Sequence, residues 1–163
     1  MKYTDTRDKK VSVDFRTAVL NGMNAETGGL YMPTEFPRLE NSFLERNPEP
    51  SFREIAYEMA KPYVENEIPD TDLESIIQDC YPFSSKVVPI DPVTYVLELF
   101  HGPTCAFKDF GARFMARVMS YFIKFLMRKL FSNYINDYKI LQQHGKYNKR
   151  KIVYKMSRKR RRN

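Results

Sequence analysis

One lysine, Lys108, stands where its side chain could do covalent chemistry. It lies in the run HGPTCAFKDFGARFMAR of residues 101–117, where a loop passes into a helical pattern among small and aromatic residues. A partly apolar pocket removes water from an ammonium group and a helix N-terminus adds positive potential, so both favour the neutral amine. A neutral lysine amine can attack an aldehyde. Asp109 would oppose this in part, because a nearby carboxylate favours the charged ammonium.

Spacing alone leaves ordinary roles open for Lys108 and its neighbours. A lysine at the start of a helix is more often a solvated side chain than a nucleophile. His101 could contact a substrate or a phosphate, and it could equally be a loop histidine held by a backbone hydrogen bond. Asp109 could simply favour the first helical turn. We expect core packing from the three nearby phenylalanines, Phe107, Phe110 and Phe114.

A resemblance gives this lysine a specific role. Residues 98–112 resemble the pyridoxal-phosphate attachment signature of the serine and threonine dehydratase group. The longer strings LELFHGPT (97–104) and AFKDFGARFM (106–115) closely resemble the threonine synthase family, with Cys105 where the family often has another small residue. The opening of the chain is similar to the same family in residues 1–3, 6–7, 15–22 and 28–33. The resemblance covers about residues 1–123.

The resemblance implies that Lys108 is both the cofactor-binding and the catalytic residue. In the family, the lysine holds pyridoxal phosphate as an internal aldimine, releases it to the substrate amine and then moves protons as a base. The implied reaction is a lyase step of threonine biosynthesis, which converts O-phospho-L-homoserine and water to L-threonine and phosphate. The small molecule O-phosphohomoserine is therefore the expected partner.

The implied fold is a two-domain α/β architecture of fold type II, similar to tryptophan synthase beta. We expect an incomplete fragment of it, with a mostly helical N-terminal region in residues 1–93 and the first strand and helix of the cofactor domain in residues 94–123. Residues 124–163 form a basic tail without family resemblance. Unpaired strand edges and an uncovered apolar helix face would make such a fragment marginally stable or prone to aggregate, and we expect it to be inactive.

Local patterns predict the elements that must position the lysine. Asp14 can cap a helix that Gly22 ends, and residues 30–32 form a short strand. Two capping-box patterns follow, and each helix is expected to stop at a proline. The first pairs Ser51 with Glu54 and stops at Pro62, and the second pairs Thr71 with Glu74 and stops at Pro82. Residues 95–100 form a strand, and Phe107 begins a long helix with apolar residues every three or four positions.

The charge of the chain changes sign after about residue 123. Residues 1–123 hold 13 Lys and Arg against 19 Asp and Glu, a net charge of −6, whereas residues 124–163 hold 14 against Asp137 alone, a net charge of +13. The tail favours residues of A-rich codons, which indicates an out-of-frame reading rather than a deliberate extension. The alternative is a non-catalytic fragment whose tail binds RNA or other polyanions, with four tyrosines available to stack on bases, Tyr134, Tyr138, Tyr147 and Tyr154. No folded nucleic-acid motif accompanies the tail, so no specific nucleic acid is expected.

The cysteines and the apolar runs exclude other classes. Cys80 and Cys105 have no further cysteine or histidine at zinc-ligand spacing, which predicts reduced thiols and no metal site. No signal-peptide pattern and no run of membrane-spanning length is visible, so a cytoplasmic location without a membrane partner is expected.

Overall fold

A computed structural model describes residues 1–143 of the chain, with side chains described as far as Ser132. The chain divides into two compact units, Met1–Phe122 and Ile123–Asn163. The elements of the described residues, in chain order, are β1 (Tyr3–Asp5), β2 (Ser12–Val13), α1 (Phe15–Asn21), β3 (Tyr31–Pro33), α2 (Asn41–Leu44), α3 (Phe52–Val64), α4 (Asp70–Cys80), β4 (Lys86–Pro89), β5 (Tyr95–Glu98) and α5 (Lys108–Gln143).

A small antiparallel sheet opens the first unit. Its strand order is β2-β1-β3, with Thr4 opposite Ser12 on one side and Met32 on the other. The predicted strand at residues 30–32 is confirmed as β3, displaced by one residue. Asp5 at the end of β1 is fully buried, and its carboxylate accepts hydrogen bonds from neighbouring loops.

The caps predicted for α1 and α3 are confirmed. The Asp14 side chain accepts a hydrogen bond from the Thr17 amide, and Gly22 ends the helix with φ of 68°. Ser51 and Glu54 form the reciprocal capping box at the start of α3. Such caps need only residues within one helical turn, which is why the local pattern predicts them.

Two predicted helix boundaries are wrong. Pro62 lies inside α3, which continues to Val64, because Val64 is buried at 2% exposure and the Tyr3 hydroxyl donates to the Tyr63 carbonyl over 2.9 Å. Thr71 does not cap α4. The N-cap position is Pro69, two residues earlier, so that helix begins at Asp70, and it has no side-chain cap.

The core of the first unit joins α1, α4 and α5. Its buried residues include Phe15 from α1, Leu73 and Ile77 from α4, and Val118 and Phe122 from α5. Phe110 and Phe114 pack against this core, as predicted. Phe107 does not, since its side chain is 65% exposed, and the prediction of core packing is wrong for this residue.

Strands β4 and β5 form a separate antiparallel hairpin, which precedes α5 in the chain. Lys86 pairs with Glu98 and Pro89 with Tyr95 in its register. The strand predicted at residues 95–100 is confirmed in part, because β5 ends at Glu98. Its partner β4 was not predicted.

Helix α5 continues beyond residue 123, where the resemblance is predicted to end, as far as Gln143. Within the described residues, no helix combines the length and apolar content required to cross a membrane. The predicted stacking tyrosines Tyr147 and Tyr154 lie outside the described residues, as do the side chains of Tyr134 and Tyr138.

Candidate cofactor site around Lys108

Lys108 is the first residue of α5, and its side chain is exposed. The Lys108 side chain has no hydrogen bond or ion pair with any residue that the structure describes. The partly apolar pocket expected around it is not formed by the described residues. The helical period explains this, because Phe110, Phe114 and Val118 follow one packed face of α5 while Lys108 lies off that face.

The Asp109 carboxylate holds the loop that precedes Lys108. Asp109 is only 6% exposed. Its Oδ2 accepts a hydrogen bond from the Thr104 amide over 2.8 Å, and its Oδ1 accepts one from the Thr104 hydroxyl over 2.9 Å. Asp109 does lie in the first turn of α5, as expected, but its oxygens bind the loop and not the free amides of the helix.

The loop itself is tightly turned before the lysine. The Cys105 amide donates to the Gly102 carbonyl over 3.0 Å, and Cys105 has φ of 55° in the left-handed region. Cys105 is exposed, Cys80 is buried, and both are free thiols. Burial raises the pKa of the Cys80 thiol to about 11, so it is a packing residue and not a nucleophile.

His101 is held by a side chain and not by the backbone. Its Nε2 lies 2.7 Å from Glu98 Oε2, so β5 and the loop are joined at this point. The ring also lies against Phe100, with 4.7 Å between the ring centroids. The predicted backbone hydrogen bond is therefore wrong, because a carboxylate takes the place of the carbonyl, and a contact of His101 with substrate or phosphate stays a prediction.

Helix α5 is fixed against the C-terminal end of α4. Arg113 donates from Nε to the Cys80 carbonyl over 2.7 Å and from Nη2 to the Asp79 carbonyl over 3.1 Å. The Tyr81 hydroxyl donates to the Phe110 carbonyl over 3.0 Å. A cation suits this place, because the last carbonyls of a helix carry negative potential.

An apolar cleft of about 460 Å³ lies elsewhere in the first unit. Tyr3, Phe15, Met59 and Phe114 are among the residues that line it. Neither Lys108 nor any residue of the loop before it belongs to this lining, so the cleft is not the candidate site.

Comparison with known proteins shows which family the chain resembles. Residues 2–81 match the model of the threonine synthase N terminus. Threonine synthase of Eremothecium gossypii is 36% identical over 134 residues, which cover 75% of this chain and 26% of that protein. The N-terminal three quarters of this chain are similar to the N-terminal part of threonine synthases. Threonine synthase of Serratia marcescens is 32% identical over 120 residues, covering 74% of this chain and 28% of that protein.

Solved structures of the family agree with the fold described above. The crystal structure of threonine synthase from Brucella melitensis, bound to pyridoxal phosphate, superposes with a TM-score of 0.66 at 36% identity, over 74% of this chain and 27% of that one. The Escherichia coli enzyme gives a TM-score of 0.66 at 31% identity, over 74% of this chain and 28% of that one. The predicted fold class, an α/β N-terminal portion of a fold type II enzyme, is confirmed. The chain spans about a quarter of the length of its relatives.

The described residues offer a reaction partner for one group of pyridoxal phosphate, its aldehyde. The exposed amine of Lys108, which has no partner among the described residues, could react with an aldehyde, and the loop before it is fixed by Asp109. No described side chain encloses Lys108, so these residues would offer a point of attachment for the cofactor but no pocket around it.

Two features near the lysine were missed by sequence reasoning. Thr104 belongs to the motif, which gives it no role, yet it provides both donors to Asp109. Arg113 belongs to the motif as well, and it fixes α5 to α4. Its position beside the apolar residues Phe110 and Phe114 is a sequence signal for such a contact, because an arginine stem can lie along apolar surface while its guanidinium finds a polar partner.

Proposed function

We propose that this chain provides the lysine-bearing N-terminal part of a pyridoxal-phosphate-dependent threonine synthase. The complete enzyme would convert O-phospho-L-homoserine and water to L-threonine and phosphate. The observation that carries this proposal is the position of Lys108 at the first residue of α5, exposed, without a side-chain partner among the described residues and after a loop anchored at both ends. Similarity to threonine synthases supports the choice of reaction.

Lys108 would have two tasks in this reaction. Its Nζ would condense with the aldehyde carbon of the cofactor, with loss of the aldehyde oxygen as water, and once the substrate amine has replaced it the free amine would carry protons between substrate carbons. When bound, pyridoxal phosphate supplies an electron sink for negative charge that develops on the substrate. The loop anchors at Asp109 and His101 would keep the backbone of Lys108, from which Nζ extends, in one place during both tasks.

The 163 residues are proposed to be insufficient for turnover. They correspond to about a quarter of each relative, and the lysine is exposed to water in the described part of the chain. Catalysis by a carbonyl cofactor depends on orientation and on exclusion of water, which an exposed amine does not provide. We expect cofactor attachment without release of phosphate from O-phosphohomoserine.

The first test separates attachment from turnover. The full chain is incubated with limiting pyridoxal phosphate, reduced with borohydride and digested, and each modified lysine is quantified by mass spectrometry. Lys108 is expected to carry the largest share of the adduct, because the helix N-terminus at which it stands attracts the anionic cofactor. Phosphate release is measured on the same samples, and none is expected.

Matched variants give this test its control. Lys108→Ala should remove the main adduct, whereas Lys86→Ala removes an equally exposed lysine on β4 and should leave the adduct at Lys108 unchanged. Equal amounts of trapped cofactor at Lys108 and Lys86 in the chain without substitutions would contradict a cofactor-bearing role for Lys108.

A further inference from the structure

Asp109 is a buried carboxylate beside the proposed cofactor lysine, and all its observed side-chain partners belong to one residue. Both carboxylate oxygens accept from Thr104, one from the backbone amide at 2.8 Å and one from the hydroxyl at 2.9 Å. The two residues are five positions apart, so this pair closes the loop directly in front of α5. Hydrogen bonds to an ionised acceptor are among the stronger ones in proteins.

The loop is shaped to accommodate this carboxylate. A Cβ placed on Gly102 would lie 2.4 Å from Asp109 Oδ2 and 2.6 Å from Asp109 Cβ, so only glycine permits the observed approach. Cys105 takes a left-handed conformation that non-glycine residues adopt only when their surroundings impose it. Cys105 directly follows Thr104 in the chain, and its amide donates to the Gly102 carbonyl, so the Asp109–Thr104 pair and this turn bond flank the left-handed residue.

We propose that Asp109 is a positioning residue for Lys108. Its carboxylate acts through Thr104, whose two hydrogen bonds fix residues 102–107 and thereby the place of Lys108 at the start of α5. This role rests on the proposed function of Lys108. The competing explanation is a direct effect of the negative charge on the neighbouring ammonium, and the two differ in what Asp109→Asn should do.

Asparagine can preserve the geometry while it removes the charge. Its Oδ1 can accept from the Thr104 amide, and its Nδ2 can donate to the Thr104 hydroxyl, which is both donor and acceptor. Alanine removes both bonds. Thr104→Val removes only the bond from the hydroxyl and keeps the backbone one, so it is a third, milder variant.

The first measurement needs no cofactor. Amide hydrogen exchange of residue 104 is followed in the full chain and in the variants. We expect Asp109→Ala to accelerate this exchange about tenfold or more, Thr104→Val to accelerate it less, and Asp109→Asn to leave it close to that of the unmodified chain. Unchanged exchange in both Asp109→Ala and Thr104→Val would overturn the proposal. Should Asp109→Ala fail to fold, the comparison of Thr104→Val with Asp109→Asn still decides.

The second measurement connects the loop to the lysine. The share of pyridoxal phosphate trapped at Lys108 relative to Lys86 is recorded against pH. Asp109→Ala should lower this share severalfold, and Asp109→Asn should retain both the share and the midpoint of the pH profile. A midpoint that shifts in Asp109→Asn while the residue 104 amide stays protected would assign the effect to charge and overturn positioning through Thr104.

The two measurements also distinguish a failure of this inference from a failure of the proposed function on which it rests. If the unmodified chain shows no preference for Lys108 in trapping, the proposed function fails. The exchange of the residue 104 amide would still report whether Asp109 holds the loop.

Discussion

At the scale of single residues, two buried carboxylates organise loops of the first unit. Asp109 fixes the loop that precedes α5, and Asp5 fixes the loops near the end of β1. Asp5 is fully buried and accepts hydrogen bonds from the Arg7 amide at 2.7 Å, from the Asn24 side chain at 2.7 Å and from the Thr27 hydroxyl. A Cβ on Gly29 would collide with its Oδ1, so the neighbouring loop is fitted to this carboxylate as Gly102 is to Asp109.

The Asp5 network predicts a loss of stability in acid. The Thr27 hydroxyl, followed by other hydrogen-bond donors, lowers the pKa of Asp5 from 3.8 to about 2, while burial acts in the opposite direction. Because the folded pKa lies below the ordinary value, the stabilisation is present above about pH 4 and is lost as the pH falls toward 2. Asp5→Asn should therefore melt below the unmodified chain at neutral pH, and the difference should shrink between pH 4 and pH 2.

Thermal unfolding followed by circular dichroism across that pH range measures this difference. Glu26→Gln is the matched control, because Glu26 is exposed and should give a small difference at every pH. A difference between Asp5→Asn and the unmodified chain that stays constant from pH 7 to pH 2 would contradict the prediction.

At the scale of elements, α5 is placed by α4 as much as by the core. Arg113 bonds two carbonyls at the C-terminal end of α4, and the Tyr121 hydroxyl donates to Asp72 Oδ2 near its beginning over 2.9 Å. Contacts at both ends of α4 fix the direction of α5. The direction of α5 in turn determines the position of Lys108, its first residue.

Replacing Arg113 should loosen this arrangement. Arg113→Met keeps the apolar stem and removes the bonds to the Cys80 and Asp79 carbonyls, so we expect a loss of about 1–3 kcal/mol in the free energy of unfolding. Arg113→Lys should recover only part of it, because one ammonium cannot reproduce the guanidinium fork. Urea denaturation measures both. Arg128→Met, at an exposed position of the same helix, should change the free energy of unfolding little.

At the scale of the molecule, the first unit presents much apolar surface to water. The hairpin exposes Val87, Val93, Tyr95 and Leu97, and Phe107 before α5 and Met115 within it are exposed too. Within the described residues β4 and β5 pair only with each other, so their outer edges are unpaired. An isolated two-stranded hairpin is marginal in water, which agrees with the predicted tendency of this fragment to aggregate.

The net charge of +13 in residues 124–163 supports a separate prediction on binding. The full chain should bind RNA, DNA and heparin alike, with an affinity that falls steeply as salt increases, because released counterions drive such contacts. Replacing residues 158–162 by serine should reduce the slope of log affinity against log salt by up to about 0.7 per lost phosphate contact on single strands. Filter binding at several salt concentrations measures the slope. Strong preference for one RNA sequence would instead favour the alternative of an RNA-binding fragment.

Much of the site could be predicted because it is encoded in contiguous residues. The motif around Lys108 indicated the family that the chain resembles, and the end of the resemblance near residue 123, where the charge changes, stays a prediction. Strand β4 was missed because its four residues carry little pattern of their own and are stabilised by pairing with β5.

The sequence by itself determined those features that depend on neighbours within about one turn, such as the caps at Asp14 and Ser51 and the lysine at the start of a helix. The tertiary structure alone decided that α3 continues past Pro62 and that Phe107 faces water. It also decided that Arg113 meets carbonyls 33 and 34 positions away. These outcomes depend on which surfaces become buried together, and burial of apolar area between distant segments outweighs local preference at single positions.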